Sequence, residues 1–93
     1  MNLSAEQRHP SQASSKRAVA ARFTETHLAV LLQDGREIAT PVQWYPRLRD
    51  AKPKQRSNWR LIGSGIGIHW PDVDEDLSVE GMLDGRPAFG WDR

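Results

Sequence analysis

The segment that most restricts the fold is a glycine-interrupted apolar run at residues 59–71. Three glycines stand at spacing two within it: Gly63, Gly65 and Gly67. Ile66, Ile68 and Trp70 take the positions between and after them, as in a strand with one apolar face. Glycines on the other face leave bare backbone, so we predict a strand that bends, bulges or is covered there. Pro71 ends the run.

Residues 18–42 carry three short apolar segments that alternate with polar positions. This period of two predicts the three strands of a meander. Asp34 and Gly35 stand between the second and third segments, and this pair favours a hairpin turn of type I′. Pro41 has no N–H to donate to a neighbouring strand, so the third strand is predicted to lie at a sheet edge or to end there.

The alternation of apolar and polar residues does not continue into residues 45–58, which predict two single helical turns rather than one helix. Pro46 and Pro53 can each occupy the first position of a turn. The residue before a proline avoids the α conformation, which separates the two turns ahead of Pro53. A third short helix is predicted to follow Ser78 as its N-cap and to end near Gly85.

Asp74, Glu75 and Asp76 are expected just ahead of this third helix, where the positive end of the helix dipole favours acids. The elements together predict an α+β fold: a small antiparallel β-meander plus a Gly-rich strand pair, with two or three short helices. A chain of 93 residues suits one domain. The expected organisation is a disordered tail at 1–17, a single α+β domain at 18–86 and a C-terminal tail at 87–93.

Cysteine is absent from the sequence. Secreted domains of this size usually depend on disulfides. No apolar stretch approaches the roughly 20 residues that cross a bilayer, and the N-terminus lacks the apolar core of a signal peptide. We therefore expect a cytoplasmic protein that makes no contact with membranes.

Charge is divided along the chain, although the net charge is only +1. Residues 47–60 hold six basic side chains against one acid, whereas residues 61–84 hold six acids and no Lys or Arg. The two blocks either pair within the fold or meet partners. No helix-turn-helix pattern accompanies the basic block. If it contacts nucleic acid, the expected residues are Arg47, Arg49, Lys54 and Arg56.

The motifs that would indicate chemistry fail on their spacing. The glycines match neither the Rossmann fingerprint nor a P-loop. Asp72 opens a spacing like the start of a calcium loop, but Leu77 and Leu83 occupy the positions of its required Gly and Glu. No Cys is present, and Ser64 lies outside a G-x-S-x-G elbow. We expect no catalytic residues, no metal and no cofactor.

A small group of side chains remains as predicted contacts for a protein partner. Trp70 stands between a histidine and a proline, and Trp is common at the centre of protein interfaces. The residues predicted to bind a partner are His69, Trp70, Asp72, Asp74, Glu75 and Asp76. His69 and Asp72–Asp76 carry the alternative of a small-ligand or hydrolase site.

Several short motifs occur in order along the chain: DGR at 34–36, WYPRL at 44–48, AKPKQRSNW at 51–59, GIGIHWP at 65–71, DEDLSV at 74–79 and LDG at 83–85. In order and density they resemble the domain of unknown function 2442 family, over residues 18–86. The resemblance implies a small bacterial α+β domain with a meander, short helices and a Gly-Ile-His-Trp-Pro strand. The family has no established catalytic residues that the resemblance could carry over to this sequence.

Many members of that family are encoded beside a small protein, in pairs that look like toxin–antitoxin pairs. The function we expect is therefore a non-enzymatic protein-interaction module. It would be the antitoxin-like partner of a small protein, or an inhibitor of a mobile element. The alternatives are a nucleic-acid-contacting regulator that uses residues 47–60, and a ligand binder or hydrolase at His69 and Asp72–Asp76. A homodimer formed through an exposed strand is compatible with each of these.

Overall fold

Two three-stranded antiparallel sheets make up most of the computed structural model, which describes residues 16–88. The first sheet consists of β1 (Ala18–Phe23), β2 (His27–Leu32) and β3 (Glu37–Pro41), in that order. The second consists of β4 (Arg60–Ile62), β5 (Gly67–Trp70) and β6 (Glu75–Ser78). The helices are α1 (Pro46–Arg49), α2 (Pro53–Arg56) and α3 (Val79–Leu83). The predicted α+β fold is confirmed.

The first sheet forms as the alternation predicts, with Pro41 ending β3 at a sheet edge. The predicted type I′ turn is wrong, because Gly35 has a φ of 95° while Asp34 does not have a positive φ. The N–H of Gly35 donates to the oxygen of Leu32 at 3.0 Å, and the N–H of Leu32 donates to the oxygen of Arg36 at 2.8 Å. A single left-handed glycine therefore closes this hairpin.

The run at residues 59–71 is a hairpin of β4 and β5 rather than one bent strand. Its chain reversal contains three residues with positive φ: Gly63, Ser64 and Gly65. A Cβ on Gly65 would stand 2.4 Å from the carbonyl oxygen of Ala18. The tip of the second sheet's hairpin therefore packs on the start of β1, and only glycine permits that approach.

The acids predicted at a helix start belong instead to a turn and a strand. Asp74 has a φ of 55°, so the chain reverses after β5 and Glu75–Ser78 pairs with it. Ser78 does cap α3 as predicted, since its Oγ accepts a hydrogen bond from the N–H of Gly81 at 2.9 Å. Gly85, with a φ of 72°, ends this helix as predicted.

The two helical turns α1 and α2 begin at Pro46 and Pro53, as predicted. They are joined by the side chain of Arg56. Its Nε donates to the carbonyl oxygen of Leu48 at 2.9 Å, and its Nη2 donates to that of Arg49 at 2.9 Å. The guanidinium of α2 therefore satisfies carbonyls that α1 leaves without intrahelical partners.

One core joins the two sheets. Its buried residues are Ala18, Leu28, Val30, Leu32, Val42, Tyr45, Leu48, Ile68, Trp70, Val79 and Met82. Burial raises the pKa of Tyr45, so its hydroxyl stays protonated and donates to Oγ1 of Thr40 at 2.9 Å. Within residues 16–88 no helix is long and apolar enough to cross a membrane.

The two predicted tails fall largely outside the described residues. The tail at 1–17 overlaps them only at Lys16 and Arg17. Of the tail at 87–93, Pro87 and Ala88 are described, and the N–H of Ala88 donates to the carbonyl oxygen of Trp44 at 3.0 Å.

Candidate interaction surfaces

Trp70 lies in the core and not on a surface. Its side chain is 0% exposed. Its indole Nε1 donates to the carbonyl oxygen of Arg56 at 3.0 Å, and its ring meets Phe23 edge-on at 6.1 Å between centroids. The prediction that Trp70 sits on a recognition surface is therefore wrong. In β5 it shares the inward face with Ile68, and that face is covered by the rest of the core.

The outer face of the second sheet carries two rows of side chains across its three strands. Residues that face each other in antiparallel strands project to the same side. One row is Arg60, His69 and Asp76, and the other is Ile62, Gly67 and Ser78.

His69 and Asp76 are joined on this face by a hydrogen bond between Nδ1 and Oδ1. Asp76 is 65% exposed and His69 is 30% exposed, so solvent reaches the pair. The Oγ of Ser78, in the neighbouring row, accepts a hydrogen bond from the N–H of Gly81 and caps α3. The His69–Asp76 pair links β5 and β6 on the outer face.

An apolar patch adjoins this outer face. We define it by five residues: Ile62, Ile66, Gly67, Val79 and Leu83. Ile66 is 55% exposed and Leu83 is 43% exposed, and with Val79 they line a hollow of about 360 Å³. A second hollow of about 300 Å³ lies over Ile62, Ile66 and Gly67, with Asp76 at its side.

The acidic turn after β5 meets the basic block, so the two halves of the charge pattern partly pair within the fold. Arg47 reaches the turn: its Nη1 donates to the carbonyl oxygen of Asp74 at 2.5 Å and lies 4.0 Å from Oε1 of Glu75. Asp72 accepts a hydrogen bond from Nδ2 of Asn58 at 3.0 Å. Asp72 is exposed in the turn, and Asp76 is exposed on the outer face of β6.

Glu75 differs from the other acids because its side chain is only 12% exposed. It lies on the inward side of β6, opposite Trp70. Burial raises the pKa of Glu75, while the charge of Arg47 acts in the opposite direction. Glu75 is therefore a poor contact for a partner.

The four basic residues predicted to contact nucleic acid do not form one face. Arg47 points to the acidic turn, and Arg49 pairs with the adjacent Asp50 at 3.0 Å. Arg56 binds the carbonyls at the end of α1. Of the four, only Lys54 has a side chain without a hydrogen bond or ion pair in the described part of the chain.

A groove that the sequence did not predict lies between β1 and α2. It has a volume of about 510 Å³, and we call it the Phe23–Trp59 groove. It is lined by Ala21, Arg22, Phe23, Thr24, Glu25, Pro53, Arg56, Ser57 and Trp59. The guanidinium carbon of Arg56 lies 5.0 Å from the centre of the Phe23 ring, a cation–π contact. These residues come from positions 21–25 and 53–59, and sequence patterns do not indicate that two such distant segments meet.

Metal ligands are not grouped in the part of the molecule that can be described. Within residues 16–88 no three His, Asp or Glu side chains lie close enough together to hold an ion.

Comparison with known proteins identifies relatives without an assigned activity. The family model described as "Protein of unknown function (DUF2442)" matches residues 18–88. A crystal structure of a protein of unknown function from Rhodospirillum rubrum is 30% identical, with a TM-score of 0.68, covering 80% of this chain and 92% of that one.

A solution structure of an uncharacterised protein from Chromobacterium violaceum has the same TM-score, 0.68, at 20% identity. The match covers 97% of this chain and 91% of that chain, and it supports the fold alone. No curated protein matches the chain.

Proposed function

We propose that this chain, which belongs to the DUF2442 family, is a non-enzymatic protein-interaction module. The observation that carries the proposal is the apolar patch beside the outer face of the second sheet. Ile66 and Leu83 are the two most exposed large apolar side chains in residues 16–88, and they line the same hollow. Apolar side chains that cluster in the open, rather than scattering singly, mark places where proteins meet.

The partner we propose for the patch is a small protein with an apolar surface bordered by basic side chains. The apolar centre would cover Ile66 and Leu83. The basic border would face the exposed carboxylate of Asp76, which lines the same pocket as Ile62 and Ile66. Complementary charge of this kind speeds encounter and fixes orientation more than it adds affinity.

The biological setting we propose is that of an antitoxin-like protein in the cytoplasm, paired with the product of an adjacent gene. The family resemblance supports the pairing, and the absence of Cys supports a reducing compartment. Inhibition of a mobile element is the other form that such an interaction could take.

The test is co-purification of this chain with the protein encoded beside it. We expect a stable complex that Ile66→Asp abolishes, because the substitution places a charge in the centre of an apolar contact. Val19→Asp is the matched control, since Val19 is 41% exposed but lies in β1, outside the patch. If no complex is recovered with the wild-type protein, the antitoxin-like role is contradicted.

Two other outcomes would point to the competing functions. Light scattering that shows a dimer lost with Ile66→Asp would assign the patch to a second copy of the chain. Tight binding of DNA or RNA that weakens steeply with salt would favour a nucleic-acid-contacting regulator. We rank that regulator second, because Arg47, Arg49 and Arg56 already engage groups within the chain.

A further inference from the structure

Arg56 is a positive charge held in place at one wall of the Phe23–Trp59 groove. Its Nε and Nη2 each donate to a main-chain carbonyl of α1, and its plane lies against the ring of Phe23. The main-chain carbonyl oxygen of Arg56 accepts a hydrogen bond from the indole of Trp70. The main chain and the side chain of Arg56 are therefore both held in place before a partner binds.

The charge of Arg56 has no counter-ion in the described part of the chain. Every ion pair within residues 16–88 involves another basic residue, so no carboxylate lies within 4.0 Å of this guanidinium. The Nη1 donors also have no acceptor there. A half-buried guanidinium that lacks a carboxylate keeps both charge and hydrogen-bonding capacity for an external anion.

The walls of the groove around Arg56 are mainly apolar. Phe23, Pro53 and Trp59 form its walls, and the volume of about 510 Å³ is enough for one large side chain together with its flanking backbone. Ser57 stands exposed at the mouth. An apolar space with one fixed cation favours a ligand that has an apolar group and a carboxylate close together.

We propose that the Phe23–Trp59 groove binds a short segment of a partner protein in which an aromatic, aliphatic or proline side chain stands next to an Asp or Glu. The apolar side chain lies against Phe23 and Trp59, and the carboxylate accepts hydrogen bonds from Nη1 of Arg56. The inference rests on the proposed function as an interaction module and adds a second contact surface of different chemistry.

Two other charged side chains, Arg22 and Glu25, line the groove and affect how strongly it binds a carboxylate. Arg22 is already engaged, because its Nε and Nη2 donate to the carboxylate of Glu37 at 3.0 and 3.1 Å. Glu25 is exposed and makes no ion pair within residues 16–88. Since Glu25 repels an incoming carboxylate, Glu25→Gln should strengthen binding by about two- to fivefold.

The experiment selects ligands from a library of short random peptides displayed on phage, using the intact chain as bait. We expect the selected peptides to carry Asp or Glu beside an apolar residue. Replacing that acid with its amide should weaken binding by about tenfold or more, because the peptide then leaves the guanidinium without a counter-ion.

Variants of the chain then locate the site. Ser57→Glu places a negative charge at the mouth of the groove on an exposed residue and should abolish binding. Arg56→Gln should do the same, but it also removes bonds to α1, so Ser57→Glu carries the argument if Arg56→Gln unfolds. Arg36→Gln is the matched control, because it removes one positive charge at the β2–β3 turn, the opposite end of β2 from the groove.

Four results would overturn the inference: recovery of no binding peptides, peptides that lack an acid, binding that Ser57→Glu leaves unchanged, or stronger competition by single-stranded oligothymidine than by the amide-substituted peptide. The first three leave the proposed function standing if the co-purified complex still depends on Ile66. Loss of that complex, with peptide binding intact, would instead remove the proposed function alone.

Discussion

The apolar patch and the Phe23–Trp59 groove are both open to solvent. They differ in whether the charged side chain beside them is paired within the fold. Beside the patch, Asp76 pairs with His69. In the groove, Arg56 is held only by carbonyls and a ring. The most charged stretch of a sequence therefore need not form the surface with the most available charge. Pairing within the fold decides how much charge remains for a partner.

The largest effect is expected at Trp70, which lies behind the groove and in the strand that forms the outer face. Trp70→Ala should lower the free energy of unfolding by about 3–5 kcal/mol, because it removes a large buried side chain. Trp70→Phe keeps an aromatic ring and should retain much of that stability. Urea denaturation measures both. A loss below about 1 kcal/mol for Trp70→Ala would show that burial of this side chain does not stabilise both the groove and the second sheet.

The next effect tests whether the hairpin tip at Gly65 fixes the second sheet against the first. Gly65→Ala should cost about 2–3 kcal/mol, since its Cβ would meet the oxygen of Ala18 at 2.4 Å and its φ is 103°. Gly35→Ala is matched in φ, at 95°, but its Cβ would have nothing within 4 Å. It should cost about 1 kcal/mol. Equal losses of thermal stability would show that the close contact with β1 does not matter.

Salt should separate the two surfaces in binding. A peptide in the groove should lose about threefold to tenfold in affinity between low and high ionic strength, because its contact depends on one guanidinium near solvent. The affinity of the complex made through Ile66 and Leu83 should change less, since its apolar centre is not screened and the charge at its border acts mainly on the rate of encounter. Calorimetric titration at two salt concentrations measures both. A stronger salt dependence for the complex made through the patch than for the peptide in the groove would contradict the roles that we assign to charge on the two surfaces.

The smallest effect concerns Glu75, the acid whose side chain lies on the inward side of β6. Its pKa is raised mainly by burial, so the folded state holds the proton more tightly than the unfolded chain, whose value is near 4.5. Its contribution to stability is present below that value and is lost as the pH rises through the raised pKa. Glu75→Gln should therefore flatten the fall of unfolding free energy that begins as the pH rises above the unfolded value.

The control for this prediction is Glu25→Gln, which removes an exposed carboxylate and should leave that slope in place. A slope that Glu75→Gln leaves unchanged would contradict the burial of Glu75 as its source.

The first sheet could be predicted because its information is local. The alternation around Val30 and the pair Asp34-Gly35 indicate strands and a turn without reference to the rest of the chain. The type of turn was not predictable to the same degree, because one left-handed glycine closes the hairpin as well as two left-handed residues do.

The second sheet was only half predicted, for a physical reason. Acids ahead of a helix favour its dipole, and Asp74, Glu75 and Asp76 fit that pattern. The alternation of Glu75 and Leu77 with their neighbours is only four residues long in β6 and too short to outweigh it. What decides the outcome is the left-handed turn at Asp74, which lets the segment pair with β5.

The candidate sites depend on contacts between distant segments, which sequence patterns do not contain. Phe23 and Arg56 meet only because β1 and α2 pack on the same core. For Trp70 the useful pattern was present: it shares a strand face with Ile68, and that spacing indicates the core more strongly than its neighbours His69 and Pro71 indicate a surface.

The most direct test of the interaction module is an amide chemical-shift map of the isotope-labelled chain on addition of the small protein encoded beside it. We predict shifts centred on the apolar patch at Ile62, Ile66, Gly67 and Leu83, and loss of those shifts with Ile66→Asp but not with Val19→Asp. A complex whose shifts leave the patch unperturbed would contradict the account, and so would shifts that Ile66→Asp does not remove.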